Sequence, residues 1–341
     1  MSDRTDHAIP VRRIGALLLL FFLAICSPAR AETSRVRVAT GFGLTFLPLV
    51  LMEHDHLWEK HAKILGADIQ VEYARLGGGA GLNDALLSGS VELVVGGLAP
   101  MLLMWDRTIN SARVRGLAAL NTAPIDVLAN RPGLRSLSDF TPADRIALPA
   151  IKSSIQAIVL MAAAEKTFGP GQANRLDGLT VTMQHPDALT ALLTHGSQIT
   201  GFVAISPFQE IALAKPGIVK LTDSIAAFGG PTTVGVVYAK DRFAADNPVL
   251  LRAFYAALAE AMVEITTQRD VAIGKYLAVT QEKTDPALIA AILASPDIHY
   301  GMEPVGTLTV AHLMHRYGLL HHNPESWKEY FAAPLHDRSG S

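Results

Sequence analysis

The chain has 341 residues, of which half are hydrophobic, and its 29 Lys and Arg residues stand against 31 Asp and Glu residues. This length exceeds what one ordinary core requires and predicts two domains. The slightly acidic balance contains no basic block, so nucleic acid is not expected as a partner.

The N-terminal segment has the features of a secretory signal peptide. Arg12 and Arg13 precede an apolar run over residues 14–25, and an A-x-A cleavage site follows that ends at Ala31. The run is short for a helix that spans a bilayer, although a membrane anchor is the alternative interpretation. The pattern predicts removal of residues 1–31 and export to the periplasm.

The only cysteine of the chain, Cys26, lies inside this predicted signal peptide. A lipid-anchored form would use Cys26, but Ile25 before it is bulkier than the small residue expected there. Cleavage after Ala31 would leave a mature chain without thiols, which excludes disulfides, thiol nucleophiles and zinc–thiolate sites.

The first predicted elements alternate between strands and helices. Period-two alternation predicts strands, and longer apolar patterns closed by glycine predict helices. Strands are expected over Arg35–Thr40, residues 68–76 and residues 91–97, and helices over residues 44–66 and 80–89. This order predicts a parallel sheet with crossover helices.

The rest of the chain continues the pattern and then becomes helical. Strands are expected over residues 114–120, 125–130, 144–150, 179–184, 199–207 and 232–240. Helices are expected over residues 151–169 and 185–196, and almost throughout from Pro248. The chain therefore belongs to the α/β class with a helical C-terminal part.

One sequence unit occurs twice. "ALLSGSVELVVGGLAP" begins at Ala85, and "ALLTHGSQITGFVAISP" begins at Ala191 with His195 as an extra residue. Each reads as a helix end, a Gly-Ser turn and a buried strand that stops at a proline. Either two α/β units merely share a composition, or the chain has two similar lobes whose strand-end loops face one cleft.

With these units, the segments "VRVATGFG", "SLSDF", "DRIALPAIKSS" and "FAADNPVLLRAFYAALAEAM" resemble the periplasmic substrate-binding proteins of ABC importers. Within that class the chain is similar to the nitrate, sulfonate, taurine and thiamine-precursor binding group. The resemblance implies a two-lobed periplasmic binding protein type 2 fold, with a helical C-terminus on the first lobe. Lobe 1 would comprise residues 32–128 and 232–341, lobe 2 residues 129–231, and crossing strands would lie near residues 126–130 and 231–237.

Binding in such a cleft needs backbone donors at helix starts, where N–H groups are unpaired and the dipole favours anions. Residues 41–45, 77–81 and 152–156 qualify, although a tight turn or plain capping would explain the last two. Ser153 and Gln156 fit a capping box. Leu82 occupies the third glycine position of a dinucleotide fingerprint, which excludes that motif for residues 77–81.

The loops that follow predicted strands supply further candidates. Aromatic residues among them could instead belong to the core, and the one lysine could simply be solvated. The expected ligand-binding residues are Gly41, Phe42, Gly43, Thr45, Gly78, Gly79, Gly97, Ala99, Lys152, Ser153, Ser154, Gln156, His185, Ser206, Phe208 and Thr232.

The predicted first-lobe loops contain no arginine, and Arg75 is the nearest one. This disfavours a small inorganic anion such as nitrate and favours an organic ligand with a polar head and an apolar body. The sequence contains no H-E-x-x-H, G-x-S-x-G or P-loop motif, and it lacks the cysteine-rich signature of thiamine-precursor synthases of this fold. No catalytic residue, metal or cofactor is therefore expected.

The leading hypothesis is a monomeric, exported solute-binding protein that delivers its ligand to an ABC permease in the inner membrane. The expected ligand is a small organic anion, such as a sulfonate or taurine, or a heterocycle. The alternatives are an enzyme on the same fold and a ligand sensor that docks to a membrane receptor.

Overall fold

The computed structural model describes residues 32–76 and 78–341, and for residues 78–80 only the backbone. The predicted signal peptide, with Cys26 and Ala31, and Gly77 lie outside the described residues. Within the described part, none of the helices combines the length and apolar character needed to span a bilayer.

The described residues form alternating strands and helices. The strands are β1 Arg35–Thr40, β2 Gln70–Arg75, β3 Leu93–Gly97, β4 Val114–Thr122, β5 Asp126–Ala129, β6 Ile146–Leu148, β7 Thr180–Thr182, β8 Gly201–Ala204, β9 Val219–Asp223, β10 Thr233–Lys240 and β11 His299–Tyr300. The first helices are α1 Leu47–His54, α2 Leu57–Ile64, α3 Gly78–Ser88, α4 Leu98–Thr108, α5 Ile155–Phe168, α6 His185–Leu193, α7 Phe208–Leu213 and α8 Ser224–Phe228. The later helices are α9 Asp241–Asp246, α10 Pro248–Thr267, α11 Arg269–Thr280, α12 Pro286–Leu293 and α13 Thr307–Arg316.

Two sheets organise these elements. The larger has the strand order β11-β4-β10-β3-β1-β2, and the smaller has the order β7-β6-β8-β5-β9. Strand β1 pairs in parallel with β2 and β3, and β6 pairs in parallel with β7 and β8. The predicted parallel strands with crossover helices are therefore confirmed, and the chain has the expected mixed α/β fold.

The chain passes between the sheets twice, once between β4 and β5 and once between β9 and β10. At these crossings the Ile125 amide donates to Ser224 Oγ at 3.0 Å, and the Ser224 amide donates to the Ile125 carbonyl at 2.9 Å. Strand β5 pairs only within the smaller sheet, so the change of sheet precedes Asp126 and not residue 129. The division into two lobes otherwise stays a prediction.

The single helix predicted over residues 44–66 is wrong, because a 3₁₀ turn, α1 and α2 occupy this stretch. The break lies at His56, whose φ of 50° is left-handed and ends the helical path. The redirected chain buries Trp58, whose Nε1 donates to the Leu250 carbonyl at 2.9 Å. This contact joins segments 192 residues apart, which sequence periodicity does not reveal.

Other differences concern the ends of strands. Strands β6, β7 and β8 are shorter than predicted at both ends, and turns lead from them into α5, α6 and α7. Helix α4 was not predicted, since Gly96 to Pro100 read as a loop. Pro100 is compatible with α4 because it lies in the first turn, where its missing N–H costs no hydrogen bond.

The C-terminal helices cover the larger sheet. Helix α10 packs against α1 and α2, with the rings of Trp58 and Phe254 5.0 Å apart. Helix α13 packs on α4 and also reaches α5 of the smaller sheet. There Glu165 forms an ion pair with Arg316 and accepts a hydrogen bond from Tyr317 Oη at 3.0 Å. The C-terminal part therefore contacts both halves of the fold.

Candidate functional site

A narrow cavity of about 70 Å³ lies between the two sheets. Its walls include residues at or just beyond the carboxyl ends of five strands: Gly41 after β1, Gly97 in β3, Pro149 after β6, Gln184 after β7 and Ile205 after β8. The remaining lining residues are Phe42, Thr45, Phe46, Leu82, Gly96, Pro100, Ser154, Ile155, Gln156, His185 and Val234. Carboxyl ends of strands are where open α/β sheets bind ligands.

Three helices begin at this narrow cavity: α4 after Gly97, α5 after Ser154 and α6 after Gln184. The first N–H groups of a helix have no partner within the helix and carry a positive partial charge. The sequence therefore folds so that three sets of backbone donors begin at one small space.

Ser154 is the N-cap residue of α5, and its side chain forms two hydrogen bonds with the backbone. Its Oγ accepts from the Ala157 amide at 3.2 Å and donates to the Ala150 carbonyl at 2.7 Å. The predicted capping box of Ser153 and Gln156 is wrong, because the cap is one residue later. Gln156 is consequently free to turn its side chain to a different partner.

That partner is His185, the first residue of α6, whose Nε2 lies 3.1 Å from Gln156 Nε2. The imidazole stacks on Phe208 at a centroid distance of 5.4 Å and an interplanar angle of 10°, and its other ring neighbour is Phe202. Only 6% of His185 is exposed. Burial lowers the pKa of His185 to about 3, so the ring is neutral at physiological pH.

The second ring nitrogen of His185 is left without a partner. Nδ1 is buried and finds no hydrogen-bond partner among the described residues. A buried polar group without a partner costs about 1–3 kcal/mol. A cost of this size within the wall of a cavity is a reason to look for an external partner.

The larger sheet contributes mainly backbone and aromatic surface. A side chain at Gly41 would meet the ring of Phe46 at 2.8 Å, so the glycine lets this ring pack beside the cavity. Gly43 has a φ of 107°, a conformation suited to glycine, and the following Leu44 amide donates to the Ser206 carbonyl at 3.1 Å. This hydrogen bond links the two halves at the edge of the site.

A wider groove of about 810 Å³ adjoins the narrow cavity and shares Gly41, Phe42 and Phe46 with it. Here charged groups are present, since Arg75 pairs with Glu53 at 2.6 Å and Tyr276 Oη donates to Glu282 Oε1 at 3.0 Å. Charge is therefore concentrated in the groove, outside the narrow cavity.

The structure brings seven of the predicted site residues together around the narrow cavity. These are Gly41, Phe42, Thr45, Gly97, Ser154, Gln156 and His185. Gly43 and Phe208 line the wider groove instead. Gly78 and Gly79 form the start of α3, and only their backbone is described.

The remaining predicted residues do not line the narrow cavity. Ala99 and Thr232 are buried, and Ser206 donates to Glu210 Oε1 at 2.7 Å. Lys152 pairs with Asp177 at 3.2 Å and lines a separate surface pocket with Ser153. Lys152 is thus not the cation of the cavity.

Other lining residues are not among the expected ligand-binding residues, including Leu82, Gln184, Ile205 and Val234. Gln184 and Ile205 lie where predicted strands end, and this position is the signal that the sequence offers for them. Among the described residues, no group of three His, Cys, Asp or Glu side chains is arranged to hold a metal ion.

Comparison with solved structures defines the class of fold. The alkanesulfonate-binding protein SsuA from Xanthomonas axonopodis pv. citri, bound to MOPS, has a TM-score of 0.69 at 18% identity, with 89% of this chain and 98% of that chain covered. The periplasmic aliphatic sulphonate binding protein SsuA from Escherichia coli has a TM-score of 0.65 at 16% identity, with 88% and 92% covered. The periplasmic nitrate-binding protein NrtA from Synechocystis PCC 6803 has a TM-score of 0.66 at 12% identity, with 88% and 84% covered.

These likenesses establish the periplasmic binding protein fold, as the sequence resemblance predicted. Residues 29–273 match the sequence profile of the NMT1-like family, and the chain belongs to this family. A comparison with curated proteins gives no match.

Proposed function

We propose that this protein is the exported solute-binding component of an ABC-type importer, which captures a small organic solute between its lobes and delivers it to an inner-membrane permease. The observation that carries the proposal is the narrow cavity, whose walls come from strand ends of both sheets. A mostly apolar cavity with a few convergent polar groups is typical of a small-molecule site. The candidate ligands are a small organic anion, such as a sulfonate or taurine, and a heterocycle.

Two features support ligand capture by closure of the lobes. The chain crosses between the sheets only at residues 123–125 and 224–232 of the described part, so few backbone torsions need to change when the halves move. The Leu44 to Ser206 hydrogen bond also joins the halves beside the cavity. We assign residues 32–125 and 232–341 to lobe 1 and residues 126–231 to lobe 2, because β5 pairs with β8 and β9 of the smaller sheet.

Binding is favoured over catalysis by the environment of the Ser154 hydroxyl, which lines the narrow cavity with His185. Ser154 Oγ donates to a backbone carbonyl and caps α5, so it is not positioned as a nucleophile activated by His185. The neutral His185 is instead held by Gln156 and Phe208, as a fixed hydrogen-bonding surface.

The test is a ligand screen on the protein lacking residues 1–31. Sulfonates, taurine, nitrate, pyrimidines and neutral amides are titrated while the melting temperature and calorimetric heats are measured. A true ligand at one hundred times its Kd stabilises the folded state by about 2.7 kcal/mol, so the melting temperature rises with concentration.

A matched pair of variants tests whether the ligand occupies the narrow cavity. Gly97→Leu places a side chain beside Pro100 and Ile155, which both line the cavity, and should abolish binding. Gly178→Leu is the control, because a side chain there meets open space on the surface. Binding that survives Gly97→Leu, or a screen without any ligand, contradicts the proposal.

A further inference from the structure

The narrow cavity has hydrogen-bonding groups but no charged side chain among its described lining residues. Its polar side chains are those of Thr45, Ser154, Gln156, Gln184 and His185, and the other walls are apolar or glycine. An ionised ligand that enters such a space loses its hydration and meets only the partial positive charges of the helix starts, without a cationic side chain. Cationic groups such as Arg75 line the adjoining wider groove instead.

The helix starts contribute hydrogen-bond donors to the cavity. Helices α4, α5 and α6 start there, and their first N–H groups suit acceptor atoms with partial negative charge. Gln156 directs its amide nitrogen to His185 Nε2, so Nε2 is the acceptor and the ring proton resides on Nδ1. Nδ1–H is then a buried donor that the described protein leaves unpaired.

The surroundings of His185 keep the ring neutral. The hydrogen-bond and ring partners of the imidazole are Gln156, Phe202 and Phe208, none of which is charged, and burial is the only cause that lowers its pKa. The ring therefore stays neutral at pH values well above 3, and the site offers a fixed neutral donor there.

We infer that the narrow cavity binds the head group of an uncharged molecule, whose carbonyl, sulfonyl or amide oxygen accepts the Nδ1–H of His185. The inference rests on the proposed function and specifies its ligand class. It selects against free sulfonate, carboxylate and nitrate as the group held in the narrow cavity.

The first experiment compares ligand pairs that differ in charge but hardly in size. Methanesulfonamide is compared with methanesulfonate, and benzamide with benzoate, by NMR titration of the protein lacking residues 1–31. The neutral member of at least one pair should bind at least about tenfold more tightly, with an affinity that is constant between pH 5 and pH 8. An anion beside His185 would raise its pKa and bind more tightly as the pH falls.

The inference is overturned if the anionic members bind more tightly, if affinity rises on acidification, or if no neutral probe binds. The proposed function fails separately. It stands if any solute of the wider screen binds in a manner sensitive to Gly97→Leu, and it fails if no solute binds to the folded protein.

The second experiment locates the donor on the ring. The amide of Asn overlays Nδ1 of a histidine, and the amide of Gln overlays Nε2. His185→Asn should retain affinity for the best neutral ligand within about fivefold, whereas His185→Gln should lose at least about twentyfold. Equal losses, or better binding by His185→Gln, contradict the assignment.

A third readout needs no ligand and separates a binding role from a structural one. The double variant Gln156→Met, His185→Phe replaces both hydrogen-bonding partners by apolar groups and keeps a ring that stacks on Phe208. Because it removes an unpaired buried donor, it should raise the melting temperature of the free protein by a few degrees and abolish ligand binding. A lowered melting temperature would show that the pair serves packing, and would overturn the inference.

Discussion

Two units of the molecule repeat one topology, helix α3 with strand β3 and helix α6 with strand β8. Strand β3 lies between a parallel neighbour, β1, and an antiparallel neighbour, β10. Strand β8 has the same arrangement, between parallel β6 and antiparallel β5. Of the two interpretations of the repeated sequence unit, the shared pairing favours two similar lobes.

The two units differ in what they bring to the narrow cavity. Unit α3–β3 contributes Gly96 and Gly97 at its strand end, whereas unit α6–β8 contributes His185 at its helix start. The larger sheet thus supplies backbone and apolar surface, and the smaller sheet supplies most of the polar side chains. One topology supports both, because function resides in the loops and helix starts and not in the strands.

The largest expected effect tests whether the two central strands are equally important for stability. Phe202 in β8 and Val94 in β3 occupy equivalent positions, opposite Ala147 and Ala39 respectively, and both are fully buried. Phe202→Ala should cost about 3–5 kcal/mol of unfolding free energy, because a buried ring leaves a cavity. Val94→Ala removes less apolar surface and should cost about 1.5–3 kcal/mol. Urea unfolding measures both, and a larger loss for Val94→Ala would contradict this.

The second prediction compares equivalent positions in β5 and β10, the antiparallel neighbours of β8 and β3. Only β5 has a charged residue at this position. Asp126 in β5 pairs with Ala204, and the equivalent residue of the larger sheet, Val236, pairs with Gly96. Burial raises the pKa of Asp126 to about 6, although Lys220, 3.0 Å away, opposes the shift. An acid with a raised pKa binds more protons when folded, so its contribution to stability is full below pH 3.8 and is lost as the pH rises through 6.

Asp126→Asn removes this dependence. Between pH 4 and pH 7 the stability difference between the variant and the wild type should therefore shift by about 2.4 kcal/mol in favour of the variant. Asp223→Asn is the control with the opposite sign, because Asp223 has a lowered pKa: burial acts against the shift, but the Ala226 amide and Lys220 outweigh it. Melting curves across pH measure both, and a constant difference for Asp126→Asn contradicts the prediction.

The third prediction concerns the buried histidine at the start of α6. The lowered pKa of His185 means that its contribution to stability is full above pH 6.5 and is lost as the pH falls towards 3. Between pH 6.5 and pH 4.5 the wild type should lose about 2–3 kcal/mol that His185→Asn does not lose. His195→Asn, on the exposed loop after α6, serves as the control. If the wild type and His185→Asn lost the same unfolding free energy on acidification, the pKa of His185 in the folded protein would not be lowered.

The sequence predicts elements whose signals are local. Strands β1 to β3 follow from alternation, and the end of α5 at Gly169 follows from glycine punctuation. The break at His56 does not follow, because it is stabilised by burial of Trp58 against a helix nearly two hundred residues away. Tertiary packing overrides the local helical pattern there.

The site residues likewise divide into features with a local sequence signal and features set by distant contacts. Positions after strand ends could be predicted, and Gly41, Gly97 and His185 were found in this way. The hydrogen-bond and packing partners of each side chain could not be predicted, because they depend on contacts between distant segments. Gln156 and His185 are 29 residues apart, and the ring of Phe208 comes from another helix.

The smallest expected effect concerns the start of α5, where sequence and structure assign the cap to different serines. Ser154→Ala removes the acceptor of the Ala157 amide and should cost about 1 kcal/mol of unfolding free energy. Ser153→Ala should change stability by less than about 0.5 kcal/mol, because Ser153 is not the capping residue. Urea unfolding of the two variants decides between the assignments, and a larger loss for Ser153→Ala would restore the predicted capping box. Helix α6 has no side-chain cap at Gln184. Gln184→Ala therefore has no capping cost, and a loss of ligand affinity in this variant would reflect the position of Gln184 in the cavity wall.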